Sequence, residues 1–417
     1  MQESSLFVGL DVSSGKIDVT FLDDDGRPVR SACTYDNGPK GWMELRTAVV
    51  AAATLVGPKV RVVCGMESTS NMHKRIEQAL RAEKRRKIEV HVLNPRAVKN
   101  FGRALLKDAK TDRLDSRLIA LFLLRMQPDP LPQMPPGFEE LKEATRTRRR
   151  LVEERTDHKN RLHKLLRYHL PGYRNVLGSG TLPKRLLIVL AEFGSPHALL
   201  QCGIEKLAAM RYGRGHRVGE AFAEKLLALA QQAPVRKLSK VTRLLIKTTA
   251  RRILDLDALL VEIDRAIEEH LDEVFPNQVL TSIPGIGKVS AAAILAEIGD
   301  IGRFASKEQF VGYCGLYPIV WESGEARRRY RMTYKGNRML KMSLLVSCAA
   351  ARQYNPVIAT FYERLRRRGK SKKASGGAIA RKLAEIVFTL LVRNEPWSSE
   401  KAMRGMKKAE AMLKRAA

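Results

Sequence analysis

Long apolar segments and paired cysteines are both missing from this sequence. It has no run of about 18 uninterrupted apolar residues, the length that a membrane-spanning helix requires. The first residues, MQESSLFVGL, lack the basic-then-apolar pattern of a secretory signal. The five cysteines form no CxxC pair, and no histidine lies at a spacing typical of a zinc site. We therefore expect a cytoplasmic protein with free thiols and no membrane association.

Acidic residues are scarce relative to basic ones. The 417-residue chain has 75 Lys and Arg against 44 Asp and Glu, which gives a formal net charge of +31. The basic residues occur in clusters within helical patterns rather than in one amphipathic tail, which favours nucleic acid over an anionic membrane surface as the partner. Simple solubility remains the other explanation. We expect a nucleic-acid-binding protein.

The first 130 residues follow the order of elements in a ribonuclease-H-like fold. The apolar runs LFVGLDV and IDVTFLD are separated by the turn-like SSGK, and DDDG closes a second tight connection, which predicts an antiparallel meander of three strands. Helices and buried strands then alternate. These later elements are a helix over 39–55, the strand KVRVVCGME, a helix over 69–83 and the strand IEVHVLN.

The remainder of the chain is predicted to be helical. The proline-dense segment 127–137, QPDPLPQMPPG, should break any helix and is therefore predicted to separate two domains. A long amphipathic helix follows from Leu141, with a second long helix over 235–272 as its antiparallel partner. The predicted fold class is α/β plus all-α, in three domains: a ribonuclease-H-like domain over 1–130, a helical coiled-coil domain with an insert over 138–275, and a mostly helical domain over 276–417.

Four acidic residues lie where such a fold would bring them together. Asp11 lies within or at the end of the first strand, Glu67 ends the strand KVRVVCGME, and Asp112 and Asp115 lie three apart in the helical segment KTDRLDSRLIALF. Carboxylates this close repel one another unless cations neutralise them, and two Mg²⁺ ions (or Mn²⁺) would also clamp a scissile phosphate. Each acid taken alone is more typical of a solvated surface, so the prediction depends on all four converging.

The first hairpin also invites a different interpretation. GLDVSSGKIDVTFLD resembles the first phosphate-binding hairpin of the actin-like sugar kinases, which share the ribonuclease-H-like core. Those kinases need a second acidic-glycine phosphate loop in a duplicated domain, and the later sequence has none. A kinase is therefore the weaker interpretation.

Two C-terminal segments have features typical of phosphate binding. IPGIGKVSAAAILAEIG is typical of a helix-hairpin-helix, whose Gly-x-Gly turn brings backbone N–H groups to a phosphate, although a plain helix connection fits as well. SGEARRRYRMTYKGNRMLK is too basic to be buried unpaired, and its tyrosines add stacking surfaces. It begins with Ser323, either a turn residue or a nucleophile. The candidate nucleic-acid-binding residues are Lys110, Arg113, Arg146, Arg149, Gly285, Gly287, Arg327, Arg328, Arg329, Arg331, Lys335 and Arg338.

Several of these segments together resemble one family, the DEDD transposases of the insertion-sequence-110 family, which includes the pilin-gene invertase. They cover the chain in order except for about 172–275. The segments that carry the resemblance are GLDVSSGKIDV, GMES, KTDRLDSRLIA, LVEERTDHKNRLHKLL, SIPGIGKVSAAAILAEIGDIGRFASKEQFVGYCGLYP, SGEARRRYRMTYKGNRMLK and RRRGKSKKASGGAIARKLAEIVFTLL.

The resemblance implies a fold, a metal set and a nucleophile. The family has a RuvC-like domain whose Asp, Glu, Asp and Asp bind Mg²⁺, and a C-terminal transposase domain whose serine attacks DNA. By motif, the acids correspond to Asp11, Glu67, Asp112 and Asp115, and the serine to Ser323 in GLYPIVWESGE. Glu322 stands where the family pattern often has another serine.

The resemblance also implies partners. Family members recombine double-stranded donor and target DNA, paired through a structured non-coding guide RNA from their own element. The acids and the serine lie far apart in the sequence, so we expect a composite site to which the subunits of a homodimer or homotetramer can contribute. The protein would associate with the bacterial nucleoid when acting.

Two other functions remain open. A RuvC-like metal nuclease would hydrolyse DNA with water and use Ser323 only as a turn residue. A non-catalytic nucleic-acid-binding protein would need none of the acids for its function.

Overall fold

The chain is described by a computed structural model that covers residues 4–68, 72–105, 112–130, 134–174, 181–213, 215–234, 237–321 and 329–405. For residues 112–114, 320–321 and 329–331 the description is limited to the backbone. The chain divides into two compact units, residues 1–133 and 134–417. None of the described helices is both long and apolar enough to cross a membrane.

A mixed five-stranded sheet forms the centre of the first unit. Its strands are β1 (Ser5–Val12), β2 (Lys16–Leu22), β3 (Cys33–Asp36), β4 (Arg61–Glu67) and β5 (Ile88–Leu93). The strand order is β3-β2-β1-β4-β5. Strands β1, β2 and β3 pair antiparallel, whereas β4 pairs parallel with both β1 and β5. The predicted meander and the predicted adjacency of β1 and β4 are both confirmed.

Helices cover both faces of this sheet. They are α1 (Pro39–Val56), α2 (Met72–Arg81), α3 (Pro95–Ala104) and α4 (Asp112–Met126). One apolar core joins alternate residues of β1, such as Leu6 and Val8, to α1 and α2. The other core joins Phe7 to α3 and α4. Because β1 is covered on both faces, its sequence is almost continuously apolar up to Asp11.

The second unit is mostly helical. Its helices are α5 (Phe138–His169), α6 (Lys184–Glu192), α7 (Pro196–Cys202), α8 (Ile204–Ala209), α9 (Glu220–Gln231), α10 (Lys240–Val274), α11 (Lys288–Ile298), α12 (Lys307–Cys314), α13 (Arg338–Tyr354), α14 (Pro356–Arg367) and α15 (Lys372–Arg393). Its described part also contains two short hairpins: β6 (Arg211–Tyr212) with β7 (His216–Arg217), and β8 (Pro318–Trp321) with β9 (Arg329–Met332).

The long helices α5 and α10 run antiparallel, as predicted. Ion pairs between them join early residues of one helix to late residues of the other. These pairs are Arg148–Asp264, Arg155–Asp257 at 2.8 Å and Glu154–Arg252 at 2.7 Å.

Different stretches of this helix pair contribute to two different cores. One core gathers Leu162 of α5 and Ile253 of α10 with helices α6 to α9. The other gathers Phe138 and Leu271 with helices α11 to α15. The pair therefore extends from one core of the second unit into the other.

Candidate active site

The sheet brings Asp11 and Glu67 together at one edge. Leu10 of β1 lies in parallel register with Met66 of β4, so the next residues, Asp11 and Glu67, lie side by side at the carboxyl ends of the two strands. Side chains alternate along a strand, so both acids project from the face that also carries Gly9, which is the face covered by α4. Both are partly buried. The predicted convergence of these two acids is confirmed.

Two glycines allow α4 to lie directly on this face. A Cβ on Gly9 would overlap the Ser116 carbonyl oxygen and lie 2.5 Å from the Ala120 nitrogen. A Cβ on Gly65, which pairs with Gly9, would lie 2.7 Å from Leu123 Cδ1. No other residue type leaves the backbone open to so close an approach. The glycines therefore set the distance between the helix and the two strands.

A buried hydrogen bond fixes how α4 is rotated. The hydroxyl groups of Thr20 on β2 and Ser116 on α4 lie 2.9 Å apart, and Ser116 is fully buried. Asp115 is the residue before Ser116, so this contact holds it near the end of β1. Asp112 lies three residues earlier on the same helix, at a position whose side chain is outside the described part.

The pKa of Glu67 indicates that three acidic side chains lie close together. Burial raises the pKa of the Glu67 carboxyl, and the charges of Asp11 and Asp115 raise it further. A like charge raises the pKa of a carboxyl in this way only at short range. The three carboxylates therefore share one region of negative potential.

Oxygen ligands of this kind suit Mg²⁺ or Mn²⁺ in their chemistry. Among the side chains that the structure describes, no group of three or more His, Cys, Asp or Glu has the arrangement of a metal site. Asp11, Glu67 and Asp115 are thus within electrostatic range of one another without forming a ligand cage.

A further acid, Asp18, was missed in the sequence. It lies opposite Asp11 in the antiparallel register of β1 and β2, so it projects from the same face, and it is only 4% exposed. The Thr34 hydroxyl donates a hydrogen bond to it at 2.5 Å, and Lys16 forms an ion pair with it at 3.2 Å. The signal was available: pairing the strands of GLDVSSGKIDV about the turn sets the two aspartates opposite each other.

Only some of the predicted residues around Ser323 lie in the part of the chain that the structure describes. Ser323, Arg327 and Arg328, together with Lys110, lie outside the described residues. Arg329 and Arg331 are on β9, and Arg113 is on α4, in each case with the backbone alone described.

Two basic residues beyond β9 are accessible. Lys335 and Arg338 are both exposed, and Arg338 begins α13, where the Asn337 side chain accepts a hydrogen bond from Leu340 N–H. Both side chains therefore have access to a phosphate.

Arg146 has a structural partner that its sequence position did not reveal. Its Nε and Nη2 donate to the two carboxylate oxygens of Glu297 at 2.7 and 3.0 Å, and Glu297 is 4% exposed. Asn337 Nδ2 also donates to Glu297, at 2.8 Å. This contact ties α5 to α11 and to the start of α13. Arg149, by contrast, pairs with Glu153 on the surface of α5.

The segment IPGIG differs from the predicted helix-hairpin-helix. Helix α10 ends at Val274, and the chain up to α11 forms consecutive turns instead of a helix. Gly285 has φ of +100°, and a Cβ on it would overlap the Ala351 backbone, so it packs against α13. Gly287 precedes α11 and has open space around it. Of the two glycines, Gly287 is the one with room for a phosphate.

Comparisons with known proteins match both ends of the chain to one family. Residues 8–171 match the DEDD transposases of IS110, described as "Transposase", and residues 277–363 match the "Transposase IS116/IS110/IS902 family".

Three relatives illustrate the extent of the similarity. The "Insertion element IS110 uncharacterized 43.6 kDa protein" of Streptomyces coelicolor is 28% identical over 246 residues, 58% of this chain and 60% of that protein. The "Mini-circle putative transposase for IS117" of the same species is 26% identical over 386 residues, 88% of this chain and 90% of the relative. The "Pilin gene-inverting protein" of Moraxella bovis is 31% identical over 122 residues, 28% of this chain and 38% of the relative.

The alignment with the first relative thus spans less than two thirds of that protein, whereas the alignment with the second spans nearly all of it. The two matched regions lie in the order that the sequence motifs predicted. This chain belongs to the IS110 family of transposases.

Proposed function

We propose that this protein is a DNA transposase that cuts and exchanges strands of double-stranded donor and target DNA at an insertion element. The observation that carries the proposal is the convergence of Asp11, Glu67 and Asp115 on one face of the sheet. Acids clustered in a protein of net charge +31 are difficult to explain without a cationic ligand or an anionic substrate bridged by one. The names of the relatives, a putative transposase and a gene-inverting protein, support the same function.

The first unit would be a RuvC-like, ribonuclease-H-like domain that binds Mg²⁺ or Mn²⁺. The strand order β3-β2-β1-β4-β5, with acids at the carboxyl ends of β1 and β4 and on α4, supports this assignment. Asp11, Glu67, Asp115 and Asp112 would hold the metal, and when bound it would neutralise charge on a phosphate. The chain itself contributes the glycine contacts and the Thr20–Ser116 hydrogen bond, which hold the acids in position.

Ser323 would be the nucleophile. Its Oγ would attack a DNA phosphorus, form a phosphoserine ester and release the deoxyribose oxygen, while the hydroxyl proton passes to a base or to water. The arginines of the β8–β9 segment, with Lys335 and Arg338, would hold the phosphate and offset its developing charge. Because the ester conserves the phosphodiester bond energy, the strands could be rejoined without ATP.

The proposed partners follow from the family. An element-encoded guide RNA would pair with donor and target DNA, and the net charge of +31 suits two nucleic acids bound together. A homodimer or homotetramer would let acids and serines of different subunits act on one junction.

A second candidate function would use the acidic site without Ser323. They belong to the first unit and would suffice for a RuvC-like nuclease that hydrolyses DNA with water. In that case Ser323 would have no chemical role, and the products would carry free ends.

The experiment that tests the proposal is strand cleavage of supercoiled element-junction DNA with the flanking RNA and Mg²⁺, separated under denaturing conditions. Wild type should leave protein attached to one DNA end, Ser323→Ala should not cleave, and Glu67→Gln should be inactive with the metal present. Free ends produced by both wild type and Ser323→Ala would establish the hydrolytic nuclease instead. Cleavage that survives Glu67→Gln would contradict any role of the acids.

A further inference from the structure

The charge along the helix pair α5 and α10 is unevenly distributed. Residues 138–157 of α5 contain six acidic and six basic residues, and residues 255–274 of α10 contain eight acidic residues and one arginine. The interhelical ion pairs described above lie almost entirely there. Over residues 158–169 and 240–254 there is no Asp or Glu at all. The basic residues of this acid-free part are Lys159, Arg161, Lys164, Arg167, Lys240, Arg243, Lys247, Arg251 and Arg252.

A groove opens between the two helices in this acid-free part. It consists of two adjoining cavities of about 560 and 360 Å³ that share Arg161 and Leu245. The larger cavity is lined by Lys164, Arg167 and Tyr168. The smaller extends past Arg251 to Asp255, where acidic residues begin again. We refer to both cavities together as the α5/α10 groove.

Three cations of the groove have no acidic partner in the described part of the chain, whereas Arg252 forms an ion pair with Glu154. Arg161, Lys164 and Arg167 are all exposed, and none of them forms an ion pair with a described Asp or Glu. The charge of Arg167 also acts on a neighbouring side chain of α5: burial lowers the pKa of His163, and the charges of Arg174, Arg167 and Lys159 lower it further. A surface with this many uncompensated cations requires an anionic ligand or a high counterion density.

An aromatic ring stands at the edge of the same groove. Tyr168 is 75% exposed, and its ring is held edge-on against His169, with centroids 4.8 Å apart and an interplanar angle of 89°. The floor beside it is apolar, formed by Leu165 and Leu245. Exposed aromatic rings next to a basic track are typical of sites where unpaired bases stack while the backbone follows the cations.

We propose that the α5/α10 groove binds single-stranded nucleic acid, with phosphates on Arg161, Lys164 and Arg167 and an unpaired base stacked on Tyr168. The bases of a duplex are stacked on one another and do not offer a face to such a ring, so the groove should prefer a single strand. None of these residues belongs to the acidic site or to the Ser323 segment. The proposal thus goes beyond the cleavage chemistry, and it can fail while that chemistry stands.

The test uses the full chain and three labelled oligonucleotides of one sequence: single-stranded RNA, single-stranded DNA and duplex DNA. Binding is measured by fluorescence anisotropy over a range of salt concentrations. One variant combines Arg161→Gln, Lys164→Gln and Arg167→Gln. Its control combines Arg27→Gln, Arg265→Gln and Arg404→Gln, which removes the same charge at exposed positions elsewhere.

The groove variant should lower the log-log salt slope for single strands by about 2, since each phosphate contact on a single strand contributes about 0.7. The control should change it far less. Binding of RNA alone, of DNA alone or of both supports the proposal and identifies which strand the groove takes. Equal effects of the groove and control variants on every oligonucleotide would overturn it.

Tyr168 gives an independent test. Tyr168→Ala should weaken single-strand binding about tenfold and leave duplex binding unchanged, as expected for a lost stacking contact. Tyr354→Ala is the control, because Tyr354 is 63% exposed on α13. An oligonucleotide carrying 5-iodouridine should cross-link to the tryptic peptide 168–174. Cross-links confined to other peptides, or an equal loss of duplex binding in Tyr168→Ala, would overturn the proposal.

Discussion

Gly9 of β1 lies against the backbone of Ser116 of α4, with no space for even a Cβ between the strand and the helix. This contact positions the acidic site, because Asp11 lies two residues after Gly9 and Asp115 directly precedes Ser116. The same face of the sheet carries Gly65 of β4 against Leu123, so two glycines on neighbouring strands support one helix.

The first prediction concerns Gly9→Ala. The added methyl group must displace the α4 backbone, so the free energy of unfolding should fall by more than about 2 kcal/mol, and cleavage should be lost with it. Thermal denaturation and the cleavage assay measure the two effects. Gly312→Ala is the control, because nothing lies within 4 Å of a Cβ there and the residue is in a helix. A Gly9→Ala protein as stable and active as this control would refute the packing argument.

The second prediction concerns metal binding at Glu67. Divalent metal should raise the melting temperature of the wild-type protein and raise that of Glu67→Gln much less. At a free metal concentration a hundred times the Kd, the gain should approach about 2.7 kcal/mol. Without metal, Glu67→Gln should be no less stable than wild type, since Asp11 and Asp115 oppose the charge on Glu67. Glu224→Gln, an exposed acid of the second unit, should behave as wild type. An equal metal response of Glu67→Gln and wild type would count against the metal site.

The third prediction separates two arginines of α5. Arg146→Ala should destabilise the protein by about 3 kcal/mol, because it leaves Glu297 buried without its cation. Arg149→Ala should change stability by less than about 1 kcal/mol, since its pair with Glu153 is on the surface. If Arg149 contacts phosphate, its removal should instead lower the salt slope of DNA binding by about one unit. Little loss of stability in Arg146→Ala together with strong destabilisation in Arg149→Ala would show that the Glu297 contact is not structural.

The fourth prediction concerns pH. Burial of Glu297 would raise its pKa, but the hydrogen bonds from Arg146 and Asn337 outweigh burial and lower it. The folded state therefore binds this proton less tightly than the unfolded state. The stabilising contribution is full above the unfolded pKa of about 4.3 and is lost as the pH falls through the lower folded value.

This dependence can be measured with Glu297→Gln. The difference in melting temperature between wild type and Glu297→Gln should be largest near about pH 6 and should shrink towards about pH 3. Glu269→Gln, an exposed acid of α10, should show little change across this range. A difference that grows on acidification would have the wrong sign for a lowered pKa.

The strand order and most helices could be predicted because their signals are local. Apolar runs separated by turns such as SSGK identify β1 and β2, and the amphipathic pattern from Leu141 identifies α5. Asp11 and Glu67 could be paired because parallel neighbours share an edge. The segment before Gly285 resisted prediction because a Gly-x-Gly turn is compatible with several local structures, and packing against Ala351 selects one of them.

Other features depend on distant partners. Arg146 resembles its neighbours in a basic helix, and only the fold brings Glu297, which is 151 residues away, into contact with it. The same is true of Gly9, whose role depends on the approach of Ser116. Predicting that Asp18 lies opposite Asp11 requires the register of the hairpin as well as its hydrophobic pattern. Such contacts follow from packing between elements, which a single sequence does not state.

The measurement that tests the account most directly is mass spectrometry of the protein–DNA adduct after nuclease and trypsin digestion. Trypsin should release the peptide 308–327, in which Ser323 is the only serine. The account predicts that this peptide gains a nucleotide through a phosphate bonded to Ser323, in wild type supplied with Mg²⁺ and not in Glu67→Gln. A linkage at another residue, or complete cleavage with no adduct, would contradict it.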